Sequence, residues 1–246
     1  MKIIKHLKKQ LSLSLREKVL EHYLVPYSRY GVPPSILQYI TSKKPISLID
    51  IGASRGDFTE SLQKVYGLSK ALLIEPQPTL CKALKNKFNN SKIFVQECAV
   101  AESERTQEME VLNWDYSSSL LDVRRDIENI NAILDLEVSQ KIQCQVKILD
   151  KIMEEIDWHE PVDLLKIDVQ GAELMVLKGA EKTLKRTKMI FTEVSFCRLY
   201  QGAPVFQEVY DYLHNQGFKL LTISDGFRDS DGDLLQADAL FCHAIE

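Results

Sequence analysis

From Ile46 onward, short apolar runs alternate with amphipathic stretches. The runs are rich in Leu, Ile and Val, are bounded by glycine, proline or charge, and are too short for buried helices, so they read as strands. They predict strands at 46–51, 71–75, 92–96, 162–168, 188–194, 218–223 and 238–243. Apolar residues at helical spacing predict helices at about 56–66, 77–88, 172–185 and 204–216. Lys182, Lys185 and Arg186 suit the negative end of the third helix's dipole. This alternation is the signature of an α/β, Rossmann-like fold: a mostly parallel sheet of seven strands with helices on both faces. The loop "DGFRDSDGDLLQ" is too short for a crossover helix, so the last strand should run antiparallel.

Two intervals depart from the pattern. About 65 residues separate the third strand from the fourth, far more than an ordinary crossover. This insertion predicts strands at Thr106–Leu112 and Lys141–Val146, a polar stretch "NWDYSSSL", and a short helix near Asp150–Ile156. The other interval is the N-terminus. Ile3, Leu7, Leu11, Leu15 and Val19 share one face of a predicted helix over 1–24, which also bears Lys2, Lys5, Lys8 and Lys9. Such a helix suits a peripheral contact with an anionic membrane, packing on the domain, or a contact with a second copy of the chain. The proline-rich "VPYSRYGVPPS" follows, and the division expected is a helical extension over 1–40 and a catalytic domain over 41–246.

Composition narrows the class. The net charge of −4 argues against a nucleic-acid groove, which usually makes a domain basic. Cys81, Cys98, Cys144, Cys197 and Cys242 are odd in number and form no CxxC pair, so reduced thiols and a cytoplasmic location are expected. No apolar run approaches the roughly 20 residues of a membrane span, and no signal-peptide pattern is seen. No HxH pair or spaced carboxylate cluster predicts a metal.

The first strand runs into "DIGASRG", Asp50 to Gly56. A dinucleotide turn would read GxGxxG, with its second glycine letting backbone approach a pyrophosphate. Ser54 stands there instead, and Asp57 at the helix start would repel phosphate. Gly52 still permits close approach and Asp50 offers a carboxylate, which suits a cationic amino-acid ligand with a sulfonium and an α-amino group. Glu75 ends the second strand 19 residues after Gly56, where a carboxylate accepts both ribose hydroxyls, and Pro76 turns the chain away. Together these read as an adenosine site without a phosphate cradle. The adenine is expected near Glu97, Cys98 and Ala99.

In "LLKIDVQGAELMVLKGAEKTL", Lys166 and Asp168 share one side of the fourth strand. Lys166 should be buried and paired with a carboxylate, with Glu193 on the next strand as the candidate. Asp168 should emerge at the active edge. Glu173 lies in the first turn of the following helix, where it either compensates the dipole or acts chemically.

The ordered set "IDIGASRGDF", "IEPQPTL", "SSSL", "ILDKI", "LLKIDVQGAELMVLKGAEKTL", "EVSFCRLYQGAPVF" and "DGDLLQADALFC" resembles the FkbM-type methyltransferases over about residues 46–243. The resemblance implies the class I methyltransferase fold, S-adenosylmethionine as cofactor, and O-methylation of a sugar, glycan or natural-product hydroxyl. It carries cofactor roles onto Asp50, Gly52, Gly56 and Glu75 and places Asp168 and the Ser117–Ser119 stretch next to the cofactor; Ala53, Ser54, Pro76, Cys98, Ala99 and Ser118 complete the expected cofactor contacts. This chain departs from the family at Ser54, commonly asparagine, and at Gln170, often glutamate; the latter removes one candidate base.

A sugar hydroxyl is a poor nucleophile, so a group should take its proton. Asp168 is the first candidate, Glu173 the second, and His159 in the polar "DWHEP" the third. Trp114, Tyr116, Ser117, Ser119, Arg198 and Tyr200 are the candidate acceptor contacts. The aromatic ones suit either a sugar platform or the core of the insertion. A binding subunit that kept the fold and lost the chemistry is the competing reading, and a nicotinamide dehydrogenase is disfavoured by Ser54 and Asp57.

Overall fold

The computed structural model describes residues 39–40, 45–112, 119–125 and 138–243. The predicted helix over 1–24, the connector after it, and Trp114, Tyr116, Ser117 and Ser118 lie outside the described residues.

The main sheet is built from β1 (Ile46–Ile51), β2 (Leu68–Ile74), β3 (Ile93–Gln96), β7 (Val162–Ile167), β8 (Thr187–Ser195), β9 (Phe218–Ile223), β10 (Phe227–Arg228) and β11 (Leu234–His243). Its order is β10-β11-β8-β7-β1-β2-β3, with β9 also pairing β11. Strands β3, β2, β1, β7 and β8 are mutually parallel, and β11 is antiparallel to β8, β9 and β10. The expected antiparallel last strand is present. The sheet has eight strands rather than seven, because the loop after β9 pairs briefly as β10 and lengthens β11 back to Leu234.

All six residues of β1 are buried, as a central strand covered on both faces requires. Alternation sends Ile46 and Leu48 to one face, under α1 (Asp57–Tyr66) and α2 (Pro78–Lys87). Ile49 and Ile51 go to the other, against α3 (Leu149–Glu155), α4 (Glu173–Lys178) and α6 (Phe206–Asn215). Asp50 shares the parity of Leu48, so it points under α1.

The helix expected over 172–185 is two helices, α4 and α5 (Glu181–Leu184). Asp150 divides them. Its carboxylate accepts the N–H of Lys182 at 2.8 Å and of Thr183 at 2.8 Å, while its own N–H donates to the Gly179 carbonyl. A continuous helix would need those groups for its own ladder. Gly179 also lies on the Ala101 carbonyl, 2.4 Å from where a Cβ would stand.

In the insertion, β4 (Ala99–Val100), β5 (Arg105–Leu112) and β6 (Val138–Lys147) form a separate three-stranded sheet of order β4-β6-β5. Among the described residues, no helix is long and apolar enough to cross a membrane.

Candidate active site

The chain leaves β1 toward β2 on one side of the sheet and returns as β7 on the other. The crevice beyond the carboxyl ends of these strands is the switch point where open α/β sheets take ligands. A cavity of about 620 Å³, counting its open mouth, lies there. Gly52, Ser54, Glu75, Pro76, Cys98 and Ala99 line it, and Ser119, Asp168, Val169 and Gln170 close its far side.

Gly52 is required by close packing. Its φ is 74°, and a Cβ would stand 1.9 Å from the Asp168 carbonyl oxygen. The turns after β1 and β7 therefore touch, which brings two sequence-distant motifs to one cavity. Ser54 follows at φ 47°, a left-handed conformation that side-chain-bearing residues seldom adopt and that tends to mark ligand sites. Its Oγ is buried and has no hydrogen-bond partner among the described residues.

Glu75 is 4% exposed. Its Oε2 accepts the Ser54 N–H at 2.9 Å and its Oε1 the Gln77 N–H at 3.0 Å. Burial pushes its carboxyl up to about 7 against the pull of those two N–H groups. Each oxygen keeps a second lone pair, so the carboxylate can accept a diol. The orphaned Ser54 hydroxyl and the free Glu75 lone pairs fit an adenosyl cofactor bearing ribose hydroxyls. Cys98 is buried, and burial pushes its thiol up to about 12, so it meets a ligand as a neutral, weakly polar wall.

Asp50 is not a cavity wall. It is fully buried, accepts the Thr59 hydroxyl at 2.6 Å, and faces Lys166 Nζ at 3.3 Å. Ala53 and Gly56 are buried beneath the turn, with Gly56 packed on Phe88 and Leu84. These three expected contacts support the turn from below.

Lys166 does not pair with Glu193. Its neighbour across β1 is Asp50 and across β8 is Phe191, with Glu193 two residues further along. Its Nζ instead meets Asp50, Asp168 Oδ2 at 3.5 Å, and the Gly52 carbonyl at 2.7 Å. Burial disfavours the charge, but Asp50 and Asp168 outweigh it and raise the ammonium above its ordinary range.

Asp168 stands at the cavity rim with its side chain 43% exposed. Glu173 faces elsewhere. It is buried, and its Oε1 accepts the N–H groups of Val169 at 3.3 Å and Gly171 at 3.0 Å, which pins the loop bearing Gln170. Burial raises its carboxyl to about 7. His159 is exposed and paired with Asp157, away from the cavity.

The expected acceptor platform is not formed by Arg198 and Tyr200. Arg198 donates to Glu208 Oε2 in the first turn of α6 at 2.7 Å and to the Ala203 carbonyl just before that helix. Tyr200 is buried in a cluster with Leu112, Leu199 and Leu235, and its hydroxyl donates to Gln170 Oε1 at 3.1 Å. Pairing of Val123 with Tyr200 draws this residue into the insertion's core.

Several residues escaped sequence reasoning. Gln77 lay within the "IEPQP" motif, and Gln170, noted only as a departure from the family, lay within "DVQG", so both had a positional signal. Gln236 and Asp238 had none, because only the β8–β11 register brings them beside Glu193, which the sequence had placed wrongly against Lys166. Asp238 lies across from Glu193, and burial with the charge of Asp168 raises its carboxyl to about 6.

Fold and cavity define an open α/β protein with its ligand crevice at the switch point of a mostly parallel sheet. The model of the FkbM methyltransferase domain matches residues 50–220, and the chain belongs to that methyltransferase family. It is 25% identical to the 2-O-methyltransferase NoeI of Sinorhizobium fredii, over 96% of this chain and 98% of that protein. It is 24% identical to Methyltransferase 1 of Beauveria bassiana, over 54% of this chain and 58% of that protein. The structure of an FkbM methyltransferase from Methylobacillus flagellatus superposes with a TM-score of 0.52 at 16% identity, covering 81% of this chain and 44% of that one. This chain thus spans less than half of that solved structure, and the likeness concerns the fold.

Proposed function

We propose that this protein transfers a methyl group from S-adenosylmethionine to a hydroxyl of a sugar or natural-product acceptor. The observation that carries the reading is the Asp168 carboxylate, held at the rim of a cavity whose other end offers Glu75 to a ribose. The name of NoeI, a 2-O-methyltransferase similar along nearly its whole length, supports a hydroxyl acceptor. Glu75 would accept the ribose hydroxyls, the Ser54 Oγ would give or accept one further bond, and Cys98 and Ala99 would flank the base.

When bound, S-adenosylmethionine would supply an electrophilic methyl on a sulfonium, with a neutral thioether as leaving group. Asp168 would accept the acceptor's O–H, orient its oxygen toward the methyl, and take up its proton. Lys166 balances the carboxylate from behind. The peripheral membrane or self-association role of the N-terminal segment belongs to the same proposal and rests on its sequence pattern alone.

Incubation with methyl-labelled S-adenosylmethionine and a panel of oligosaccharides and nucleotide sugars tests the reading. Label in an ether-linked methyl is the expected outcome. Absence of S-adenosylhomocysteine binding in calorimetry overturns it whatever acceptor is offered.

A further inference from the structure

Gln170 sits in the loop between β7 and α4 with φ 55°, a conformation glutamine rarely adopts. The loop is held there. Glu173 takes its N–H groups, and Gly171 packs so that a Cβ would stand 3.0 Å from the Tyr200 ring. The side chain thus displayed is fully employed. Its Nε2 donates to Asp168 Oδ1 at 3.1 Å and to Glu193 Oε2 at 3.1 Å. Its Oε1 accepts the Tyr200 hydroxyl at 3.1 Å.

The partners fix which end of the amide is which. Burial holds the Tyr200 phenol far above its ordinary range, so it remains a donor and faces the amide oxygen. The two N–H bonds then meet two carboxyl groups. Glu193 is anchored in turn by Gln236 Nε2 at 2.8 Å. The oxygens of Asp168 are therefore held by different donors, Oδ1 by Gln170 and Oδ2 by Lys166.

We propose that Gln170 is a positioning residue that fixes the Asp168 carboxylate at the cavity rim, and that an amide is needed because it donates to Asp168 and Glu193 at once. The proposal rests on the reading of Asp168 as the group that takes the acceptor's proton. An ionised glutamate at 170 has no hydrogen to give either neighbour. The charge balance here leaves little room for another anion. Asp50 from β1, Asp168 after β7, Glu173 from α4, Glu193 from β8 and Asp238 from β11 converge on Lys166 or on one another.

The test is a carbon-13 carboxyl NMR titration of the full chain with labelled aspartate, the Asp168 signal being assigned by its loss in Asp168→Asn. Removing a donor to the ionised form raises a carboxyl's midpoint. Gln170→Leu should move the Asp168 midpoint up by about 1 pH unit, the equivalent of one charge-assisted hydrogen bond. Gln170→Glu, protonated where a carboxylate such as Asp168 titrates and so still a donor, should move it less. In turnover assays both variants should lose about tenfold in kcat, again one such bond, with cofactor KM little changed. Gln170→Glu should approach the wild type as pH falls, since a protonated carboxyl regains a donor; Gln170→Leu should not.

An Asp168 midpoint in Gln170→Leu equal to that of the wild type overturns the proposal. Should that variant misfold, the same titration of Gln170→Met, which also lacks a donor, decides. Retained turnover in Asp168→Asn together with a shifted midpoint in Gln170→Leu removes Asp168 as the proton acceptor and leaves the positioning contact standing.

Discussion

The two ends of the cavity are built by different means. At the β1–β2 end the Glu75 carboxylate is fixed by main-chain N–H groups of Ser54 and Gln77, within a few residues of a strand end. At the β7–β8–β11 end Asp168 is fixed by side chains, Lys166 and Gln170, which depend on Glu193, Tyr200 and Gln236 from three other segments. Backbone donors survive substitution of the residues that carry them, proline excepted. A side-chain relay fails at any single member. The first end therefore tolerates neighbouring change around one required carboxylate, whereas the second is sensitive at every position.

Four substitutions test that contrast. The largest effect is expected for Asp168→Asn, which keeps size but loses the charge and one of the two acceptor oxygens. Turnover should fall by about 10²–10⁴, the range for a general base, with S-adenosylhomocysteine affinity within about tenfold of wild type. Substantial turnover at saturating acceptor would reduce this end to scaffold.

Glu75→Ala should weaken S-adenosylhomocysteine binding by about 1.5–3 kcal/mol in calorimetry, as loss of hydrogen bonds to a charged group does. The wild-type affinity should also fall as pH drops through about 7, because protonating Glu75 removes an acceptor for the ribose. A flat pH dependence would detach Glu75 from the ligand.

Glu173→Gln separates loop support from chemistry. The Glu173 carboxyl is raised from 4.5 to about 7 on folding, so the unfolded chain gives up its proton first as pH rises. The stability it contributes is whole below about 4.5 and is lost by about 7. The amide side chain would keep an acceptor without ionising, so the variant should gain about 1–3 kcal/mol on wild type between about pH 5 and pH 8 in denaturant melts. Equal pH dependence of the two proteins would contradict the burial argument.

The smallest effect is expected at Arg198→Ala. Its partner Glu208 is itself half exposed, and such pairs contribute about 0–1 kcal/mol. Stability should change by no more than that, and S-adenosylhomocysteine affinity should not change. A large affinity loss would return Arg198 to the binding site.

Local pattern was enough for much of this molecule. The bounds of β1 and β9, the helices after β1 and β2, and the glycine turn were legible because each follows from adjacent residues and from the alternation of faces. Glu75 and Asp168 could be placed at strand ends for the same reason. The division of the 172–185 helix was not legible, because Asp150 reaches it from a segment 32 residues away. The partner of Lys166 was misassigned because strand register, not strand adjacency, decides which carboxylate lies beside the ammonium. Asp50 looked like a ligand contact in a motif, yet parity sends it beneath α1 to Thr59. Sequence by itself determined the fold class and which motifs reach the carboxyl edge, since hydrophobic period and turn chemistry are short-range. Only the tertiary structure decided which side chains hold Asp168, because hydrogen bonds between β7, β8 and β11 exist only once the sheet has set their order and register.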